Sequence, residues 1–410
     1  MQQAPSCQPP ADGSRSLAGG AVLFSIFDWW YSSHGHSDIQ LAKAMSRETP
    51  VLFVNSIGMR LPRAENSTAP QKRIVRKLKS MTRRTAEVAP LLLVQTPIAL
   101  PLYHGPGEAV VRRLVVEQVR RTLSKQKVNH PTVFVTVPTF ARIALSIPQR
   151  SLVYLRSDRH SAYPGIDQAL VRGYEQLLFE QADVVAYSNR RLFELEAPGL
   201  GGKARYIGHG VDTSRFSPLG DQDSRIMALP RPLVGFFGEL RERSIDFPLI
   251  AQVARRLPDV HFVLGGPRLE EAAELNPYAN VHIVDACPHE EMPARWRSID
   301  IAMLPYRRSA WQDVCEPIKL VEILATGLGG VGTPLASLCR HPGRISTADT
   351  AEAFANAVRR RLAEAGQRPS RADNGTPDTF RSWSEIASEF LKAPSPRRSP
   401  STDDARLAAI

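Results

Sequence analysis

The chain has 410 residues and a formal net charge of +11 at pH 7, and 43% of its residues are hydrophobic. This length suits two to three domains of ordinary size, and the composition is sufficient for their hydrophobic cores. No run of about eighteen apolar residues is present, which argues against a membrane-spanning helix, and the polar, proline-rich start is unlike a secretory signal.

The cysteines show neither a C-x-x-C pair nor a zinc-like spacing with histidine; they are Cys7, Cys287, Cys315 and Cys339. The simplest interpretation is that they are free thiols in a reducing compartment. We therefore expect a cytoplasmic protein.

The first half of the chain alternates predicted strands with predicted helices. Buried apolar runs predict strands at 21–27, 51–55, 91–95, 132–137, 151–156 and 183–187. Helices are predicted at 37–47, 108–124 and 167–181. Ser37 and Gln40 have the spacing of a capping box at the start of the first helix. This alternation is typical of a doubly wound parallel sheet.

A strongly basic segment at 60–84 follows the second predicted strand. If the range from Gln71 to Arg84 is helical, one face carries its apolar residues, which are Ile74, Val75, Leu78 and Met81. A basic helix of this kind suits the surface of an anionic membrane. A basic loop that covers the first domain is the alternative. Nucleic acid is not an expected partner, because no zinc finger, RNP-like strand or heptad accompanies the charge.

A second series of elements follows the range 212–232, which is rich in Ser, Asp, Gly and Pro and is predicted to be a linker. Strands are predicted at 233–237, 260–264, 281–284 and 299–304. Helices are predicted at 247–256, 351–365 and 380–391. The chain therefore contains two βα series.

The range 316–335, EPIKLVEILATGLGGVGTPL, has the features of a short helix that faces an anion. Pro317 suits the first helical position and Gly327 the left-handed residue past the end, which predicts a helix over 317–326. Lys319 adds positive charge beside the free N–H groups of the helix N-terminus. Glu322 lies one turn further on the same face and is a candidate acceptor for a ribose diol. Together these residues suit a nucleoside diphosphate. An amphipathic core helix with solvated charges is the alternative.

Several sequence blocks, in this order, carry a family resemblance. The range 182–192 reads ADVVAYSNRRL, and 206–218 reads YIGHGVDTSRFSP. A strand ending in Leu-Pro-Tyr then precedes Pro-x-Lys-Leu-x-Glu-x-Leu-Ala-x-Gly, with matches at Leu304, Pro305, Tyr306, Pro317, Lys319, Leu320, Glu322, Leu324, Ala325 and Gly327. Over about residues 22–391 the chain resembles a retaining GT-B glycosyltransferase of the large bacterial glycan-synthesis group.

The resemblance implies an α/β fold of the GT-B type, with two Rossmann-like, doubly wound parallel-sheet domains that face each other across a cleft. We accordingly predict an acceptor domain at 19–215, a linker at 216–231 and a nucleotide-sugar donor domain at 232–377. The range 378–392 is predicted to form a C-terminal helix that crosses back to the first domain. The ends, 1–18 and 393–410, are expected to be disordered.

On the donor side, the resemblance implies a basic residue after the first strand of the second half, and Arg241 or Arg243 fills this position. The planar guanidinium can hold two phosphate oxygens. A surface arginine paired with Glu239 or Glu242 is the alternative. Gly265, in the turn after the next strand, is a further candidate for backbone contact with the nucleotide.

Two positions depart from the family pattern. Relatives often have a second glutamate eight positions before Glu322, where it contacts the sugar of the donor. This chain has Val314 there, with Glu316 nearby as a candidate. Gly329 and Gly330 replace the usual Pro-Val-Val after the helix. They favour a flexible or unusually shaped donor pocket, or a weakened enzyme.

In the first half, the candidates lie in loops that follow predicted strands, because ligands collect beyond the carboxyl ends of parallel strands. Gly35 lets the backbone approach a sugar, and His34 and His36 are candidates to donate to a phosphate or a hydroxyl. Asp158 and His160 are candidates to orient the acceptor hydroxyl or to take its proton. Simple exposure in a loop is the alternative for each histidine.

Two further motif matches are interpreted as accidental. Gly327, Gly329 and Gly332 satisfy G-x-G-x-x-G, but they follow a helix, whereas the dinucleotide fingerprint follows a strand. Asp221 and Asp223 satisfy the D-x-D pattern of metal-dependent GT-A enzymes, but they lie in the predicted linker. No metal site and no cofactor other than the nucleotide-sugar co-substrate are predicted.

The resemblance implies transfer of a sugar from a nucleotide-diphosphate sugar to a hydroxyl of a glycan, lipid-linked or small-molecule acceptor. The implied reaction retains the anomeric configuration, needs no metal and belongs to bacterial cell-surface polysaccharide synthesis. The predicted location is the cytoplasm, at the inner face of the plasma membrane if the range from Gln71 to Arg84 binds lipid. The alternatives are a catalytically degenerate GT-B homologue that acts as a binding partner, and a GT-B nucleotide-sugar epimerase.

Overall fold

The structure is a computed structural model, and it describes residues 19–59, 69–163, 165–309, 312–366 and 380–392. The ends predicted to be disordered, 1–18 and 393–410, lie outside the described residues. Within the described ranges the chain forms two predominantly parallel sheets flanked by helices. The predicted α/β class with two doubly wound sheets is therefore confirmed.

The first sheet contains eight strands. They are β1 (Ala21–Phe24), β2 (Val51–Val54), β3 (Thr85–Ala89), β4 (Leu92–Gln95), β5 (Thr132–Val135), β6 (Ser151–Arg156), β7 (Val184–Tyr187) and β8 (Ala204–Tyr206). Their order is β3-β4-β2-β1-β5-β6-β7-β8, and the neighbours are parallel except for the antiparallel pair of β3 and β4. The central strands are buried along their whole length, as their continuous apolar runs predict.

The second sheet contains six strands, all paired in parallel. They are β9 (Leu233–Phe237), β10 (His261–Gly265), β11 (Val281–Val284), β12 (Ile301–Leu304), β13 (Gly330–Gly332) and β14 (Ile345–Thr347). Their order is β11-β10-β9-β12-β13-β14. The order reverses at β1 and β5 in the first sheet and at β9 and β12 in the second, so a crevice opens beyond the carboxyl ends of these strands.

The α-helices of the described residues connect the strands within each half. In the first half they are α1 (Ser37–Met45), α2 (Ala69–Thr82), α3 (Gly105–Lys125), α4 (Ala141–Leu145), α5 (Gln168–Gln181) and α6 (Arg190–Glu196). In the second half they are α7 (Ser224–Met227), α8 (Phe247–Arg256), α9 (Met292–Arg297), α10 (Ile318–Ala325), α11 (Ala336–Cys339) and α12 (Ala351–Gly366). The last helix is α13 (Trp383–Lys392).

Helix α13 returns to the first half, as predicted. The backbone N–H of Val211 donates to the carbonyl of Arg381 at 3.0 Å, so the two connections between the halves run side by side. Ile386 and Phe390 are buried in a cluster with residues of β1, β2 and β5. The Phe390 ring meets the ring of Phe134 edge to face at 5.6 Å. The first sheet is therefore covered on one face by the end of the chain.

The ends of two helices differ from the predictions. The N-cap of α1 is His36, without a side-chain capping bond, so the predicted capping box is wrong. Instead the Ser37 hydroxyl lies 3.1 Å from Nδ1 of His209, and the Gln40 amide donates to the carbonyl of His34 at 2.6 Å. Distant partners thus replace the local cap. Pro317 is the N-cap of α10 and not its first residue, while Gly327 has the predicted left-handed backbone with φ 74°.

The double glycine after α10 is part of a packed strand. A Cβ at Gly330 would lie 2.5 Å from the carbonyl oxygen of Ala302 on the neighbouring strand β12. A Cβ at Gly332 would lie 2.5 Å from the side chain of Leu338. These glycines allow close packing of β13. The expectation of a flexible or unusually shaped donor pocket, or of a weakened enzyme, stays a prediction.

The range predicted as a linker is largely packed against the second half. Phe216 and Ile226 are both 1% exposed and belong to the core of the second sheet. The N–H of Asp223 donates to the Ser298 hydroxyl at 2.7 Å. The polar residues of this range therefore form tight turns and the N-terminal cap of α7, and the range is not an unattached linker between the two halves.

Candidate active site

The loop after β1 is held at the crevice by a buried carboxylate. Asp38, in the first turn of α1, accepts hydrogen bonds from the Ser25 and Thr136 hydroxyls at 2.7 Å each. Burial raises the pKa of Asp38, although the two hydroxyl donors act against that rise. Asp38 thus ties α1 to the ends of β1 and β5 and fixes the loop that carries His34, Gly35 and His36.

The two loop histidines have different surroundings. The ring of His36 stacks on Phe27 with centroids 3.7 Å apart, and burial lowers the pKa of His36 to about 4. His36 is therefore a neutral group near physiological pH. Nε2 of His34 donates to the carbonyl of Trp29 at 3.3 Å, and Lys43 lies 3.5 Å from its Nδ1. The described partners of His34 thus fix the loop itself.

Lys319 lies where the first turn of α10 meets the end of β9. Its ammonium is 4.7 Å from the ring centroid of Phe236 and 5.6 Å from that of Tyr306. A Cβ at Gly238 would come within 2.6 Å of the ammonium, so the glycine makes room for it. Burial lowers the pKa of Lys319 to about 8, although Glu322 and Glu239 act in the opposite direction. A partly desolvated cation of this kind suits a phosphate group.

Glu322, on α10, is 7% exposed. Its Oε1 lies 2.8 Å from Nε2 of His289, which precedes α9. The ring of His289 also contacts the first half, because Nε2 of Gln40 lies 3.4 Å from its Nδ1. A Cβ at Gly35 would lie 2.7 Å from Cδ2 of the same ring. The structure thus brings Gly35, His289 and Glu322 together.

The loop after β9 carries Arg241 and Arg243. Nε of Arg241 lies 2.6 Å from Oε1 of Glu239, which also pairs with Arg268 at 2.8 Å. Burial opposes ionisation of Glu239, but these two guanidinium groups keep the pKa of its carboxyl below the usual value. Arg243 is exposed, and burial and the charge of Arg241 lower its pKa. In this conformation Arg241 therefore has a carboxylate partner and Arg243 is directed to solvent.

Gly265 lies within the packed end of β10. A Cβ there would meet the side chains of Val284, Phe237 and Arg295 within 3.0 Å. The carbonyl of Gly265 accepts a hydrogen bond from Gly238 at 2.8 Å. Gly265 therefore shapes the loop beneath Lys319.

Glu316 connects the two halves of the molecule. Its carboxylate accepts the backbone N–H of Arg190 at 2.8 Å and pairs with Arg340 at 2.9 Å. Nε2 of His209 donates to the carbonyl of Glu316 at 2.9 Å, and the amide of Asn189 donates to the carbonyl of Val314. We call this set, formed by residues 189, 190 and 209 with 314 and 316, the interdomain clasp.

The loop after β6 holds Asp158 and His160. Asp158 accepts a hydrogen bond from the Tyr163 hydroxyl at 2.9 Å, and burial raises the pKa of its carboxyl. Burial also raises the pKa of Cys315, and the charge of Asp158 adds to this effect. His160 is 1% exposed, and burial lowers its pKa to about 3. The structure therefore encloses His160, while Asp158 is close enough to act on a thiol of the second half.

The buried pair of Arg156 and Glu175 fixes that loop. Arg156 is 1% exposed and also pairs with Glu196 at 3.0 Å. Its guanidinium donates to the carbonyl of Asp158 at 2.8 Å. The loop conformation thus depends on a charge network that the sequence patterns do not reveal.

Sequence reasoning missed three side chains of the site: Asn189, His209 and His289. Each lies in a range that the family resemblance covers, and His209 is part of the block YIGHG. Their role follows from partners more than 100 residues away, between 107 and 249 positions along the chain. No local periodicity carries that information.

The predicted basic helix is present as α2. Val75 and Leu78 are 50% and 58% exposed, so these apolar residues have no covering element among the described residues. Lys77 donates to the carbonyl of Ser56 and lies 3.9 Å from Asp28, which attaches the helix to the first half. The guanidinium of Arg83 lies 4.6 Å from the Trp30 ring centroid. The helix is thus anchored by one face and presents the other to solvent.

None of the helices in the described part of the chain combines the length and the apolar character needed to cross a bilayer. Within the same ranges, no three or more His, Cys, Asp and Glu side chains form a group that could hold a metal ion. The described cysteines, Cys287, Cys315 and Cys339, are free thiols.

The second half of the chain matches a known family. Residues 231–364 match the family described as Glycosyl transferases group 1. A protein of Bacillus subtilis (strain 168), provisionally named teichuronic acid biosynthesis glycosyltransferase TuaH, is 27% identical over 190 residues. That alignment covers 44% of this chain and 48% of the relative, so the chain matches about half the length of that relative.

Solved structures resemble the whole fold. Sucrose-phosphate synthase from Thermosynechococcus elongatus has a TM-score of 0.65 at 16% identity, covering 91% of this chain and 97% of its own. WaaG, a glycosyltransferase of lipopolysaccharide biosynthesis, has a TM-score of 0.60 at 12% identity, covering 91% of this chain and 100% of its own. HepE of Anabaena, in complex with UDP and glucose, has a TM-score of 0.59 at 15% identity, covering 90% and 95%.

At these identities the solved structures establish the fold, and the family match establishes the ancestry of the second half. The motif of α10 lies within the matched residues 231–364. The second half of the chain is therefore similar to the group 1 glycosyltransferases, and the two halves together have the GT-B fold.

Proposed function

We propose that the chain transfers a sugar from a nucleotide-diphosphate sugar to a hydroxyl of a glycan, lipid-linked or small-molecule acceptor. The observation that carries the proposal is the placement of Lys319 and Glu322 on α10, at the switch point of the second sheet, with Glu322 bonded to a histidine that lies against the first half. A ribose diol suits the carboxylate, and a diphosphate suits the ammonium. HepE, which shares the fold, was solved with UDP and glucose in complex.

The roles proposed for the basic residues of the donor site follow from their positive charge. The leaving group is a nucleoside diphosphate, and Lys319 stabilises the negative charge that develops on it. Arg241 and Arg243 are the further candidates for the phosphates. For Arg241 this requires exchange of its partner Glu239 for a phosphate oxygen. Because these cations supply the stabilisation, the proposed reaction needs no metal.

The acceptor side of the proposal rests on the first half. Asp158 is the candidate to orient the acceptor hydroxyl, because it lies in the loop after β6 and its charge acts on Cys315 of the second half. His36 is a neutral candidate to contact a donor oxygen beside Lys319. Retention of the anomeric configuration is proposed on the family resemblance. Closure of the two halves would exclude water and so limit hydrolysis of the donor.

The test is a thermal-shift panel with UDP, GDP, dTDP, CDP, ADP and NADH, run on the wild type and on Glu322→Ala. A ligand at one hundred times its dissociation constant adds about 2.7 kcal/mol of stability. We expect one nucleoside diphosphate to stabilise the wild type and not Glu322→Ala. Glu352→Ala, an exposed glutamate of α12, is the matched control and should respond like the wild type.

Other outcomes of the panel would select the alternatives. A response to NADH alone would contradict the transferase proposal. No response to any diphosphate would favour a degenerate homologue that acts as a binding partner. A nucleotide sugar that is converted to its epimer without an acceptor, measured by NMR of the products, would identify an epimerase instead.

We further propose cell-surface polysaccharide synthesis at the cytoplasmic face of the plasma membrane, with α2 on the anionic lipid surface. Its exposed Val75 and Leu78 lie among lysine and arginine residues, as in helices that bind membrane interfaces. The relative TuaH carries a name from teichuronic acid biosynthesis, and the name of WaaG refers to lipopolysaccharide biosynthesis.

Vesicle co-sedimentation tests the membrane proposal. We expect the protein to pellet with vesicles containing phosphatidylglycerol and much less with pure phosphatidylcholine. The triple change Arg76→Gln, Lys79→Gln and Arg84→Gln should release it. The change Arg359→Gln and Arg360→Gln on α12 is the control and should leave binding unchanged. Equal binding by all three proteins would contradict the proposal.

A further inference from the structure

The pair formed by His289 and Glu322 is enclosed at the boundary between the two halves. The side chains of His289 and Glu322 are 7% and 9% exposed, and Nε2 of the histidine lies 2.8 Å from Oε1 of the glutamate. The ring centroid of Phe216 lies 5.4 Å from that of His289 on the side of the second half. Gly35 lies against the ring on the side of the first half. The histidine therefore has a defined position between two packed surfaces.

The hydrogen bonds of Gln40 define the tautomer of His289. Nε2 of Gln40 donates to the carbonyl of His34 at 2.6 Å, which identifies this atom as the amide nitrogen because a carbonyl only accepts. The same nitrogen lies 3.4 Å from Nδ1 of His289, so Nδ1 accepts and Nε2 carries the proton. Nε2–H then donates to Glu322. Gln40 thus donates to both His34 and His289, and His289 in turn donates to Glu322.

This donor acts on the carboxylate that the proposed function assigns to the ribose diol. A diol binds a carboxylate through two hydrogen bonds, and both require a defined orientation of the carboxylate plane. A hydrogen bond from a rigid neighbour supplies that orientation before the ligand binds. The neighbour is rigid here because Gly35 and Phe216 enclose its ring.

We propose that His289 is a positioning residue for ribose recognition: it donates to Glu322 and fixes the carboxylate for the diol of the donor nucleotide. The proposal rests on the proposed function, because it takes Glu322 as the ribose acceptor. It adds that ribose affinity depends on the first half through Gln40 and Gly35. The site is therefore complete only when the two halves are in contact.

The test compares UDP with 2′,3′-dideoxy-UDP by calorimetry, or the same pair with the base that the thermal-shift panel selects. We expect His289→Ala to raise the dissociation constant of UDP about tenfold, because a hydrogen bond to a charged group is lost. The dissociation constant of the dideoxy compound should change less than twofold. His289→Gln should recover part of the affinity for UDP, because its amide can donate from the position of Nε2.

Two controls separate positioning from a general loss of structure. His282→Ala removes a half-buried histidine of β11 that pairs with His261, away from α10, and should leave both dissociation constants unchanged. In a Glu322→Ala background, His289→Ala should have no further effect on UDP. The melting temperature of every variant is measured in parallel, and His289→Gln carries the test if the alanine variant does not fold.

Several results would overturn the proposal. Tighter binding of UDP by His289→Ala would show that the ring occupies the ribose position. An equal loss for UDP and 2′,3′-dideoxy-UDP would show that the effect does not pass through the diol. Suppose that UDP is the diphosphate that the wild type binds best, and that His289→Ala binds UDP with the same dissociation constant as the wild type. The positioning role of His289 is then refuted, while the proposed function stands. If the wild type binds no nucleoside diphosphate, the proposed function itself fails.

Discussion

Lys319 gives the proposed donor site a pH dependence. Its pKa in the free protein is lowered to about 8 by burial, and a bound diphosphate raises that pKa again. Above pH 8 the free site must therefore take up a proton to bind a diphosphate. We expect the affinity for the nucleoside diphosphate to fall roughly tenfold between pH 7 and pH 9, measured by calorimetry.

Two substitutions at this position check the cause. Lys319→Arg keeps its charge over the whole range, so its affinity should be nearly constant between pH 7 and pH 9. Lys319→Met should bind the nucleoside diphosphate weakly at both pH 7 and pH 9. A pH dependence that persists in Lys319→Met would mean that another group titrates.

Gly35 is a second position at which a single side-chain atom would change the site, because its missing Cβ leaves room for the ring of His289. A Cβ there would lie 2.7 Å from Cδ2 of His289, so Gly35→Ala must move the ring or the loop. We expect weaker binding of the nucleoside diphosphate, by about tenfold, with little loss of stability. The control is Gly173→Ala in α5, where a Cβ has no neighbour within 4 Å and the substitution should stabilise the helix by roughly 0.5–1 kcal/mol. If both variants bind alike, the ring position is irrelevant to the ligand.

At the scale of single elements, α13 joins the end of the second half to the core of the first sheet. Ile386 is fully buried against the first sheet. Ile386→Ala leaves a cavity there and should lower the free energy of unfolding by about 2–5 kcal/mol. Denaturant unfolding measures this change in the free energy of unfolding. Lys392→Ala, at the exposed end of the same helix, should stay within about 0.5 kcal/mol of the wild type. Similar values for the two variants would mean that α13 contributes little to the first half.

The elements show what the sequence could and could not predict. The central strands were predictable because a parallel sheet buried on both faces needs continuous apolar runs, as in β1, β2 and β5. Lys319 and Glu322 were predictable because their spacing on one helix is local. The partners of Glu322 and Glu316 were not. His289 meets Glu322 only once the second half has folded, and His209 and Asn189 meet the segment of Glu316 only when the two halves are in contact.

Short strands also escaped prediction. Strands β8, β13 and β14 have only three residues each, too few for a period-two pattern. The reason for the glycines of β13 is visible only in the packed sheet. A Cβ at Gly330 would meet the carbonyl oxygen of Ala302, and one at Gly332 would meet the side chain of Leu338.

At the scale of the whole molecule, the interdomain clasp holds the two halves in contact. The Arg190 N–H donates to the carboxylate of Glu316 at 2.8 Å, so this amide is protected only while the halves are together. Glu316→Ala removes that acceptor and the partner of Arg340. We expect faster hydrogen exchange at the amide of Arg190, by at least tenfold, with unchanged exchange in the central strands.

Hydrogen exchange with mass spectrometry measures this difference, and Glu194→Ala on the same helix is the control. Glu194 pairs with Arg190 on the surface, where both side chains are about half exposed. Loss of the Glu194 side chain should leave the amide of Arg190 protected from hydrogen exchange. Unchanged exchange in Glu316→Ala would mean that the halves stay in contact without the clasp.

The return of α13 to the first half also has a consequence for synthesis. The first sheet ends at Tyr206, but the helix that covers one of its faces begins at Trp383. At 5–20 residues per second, a ribosome needs roughly 10 to 35 seconds to make the intervening segment. During that time the nascent first half exposes the apolar face that α13 will cover. We therefore expect the ribosome-bound chain to be a substrate for chaperones until α13 has emerged.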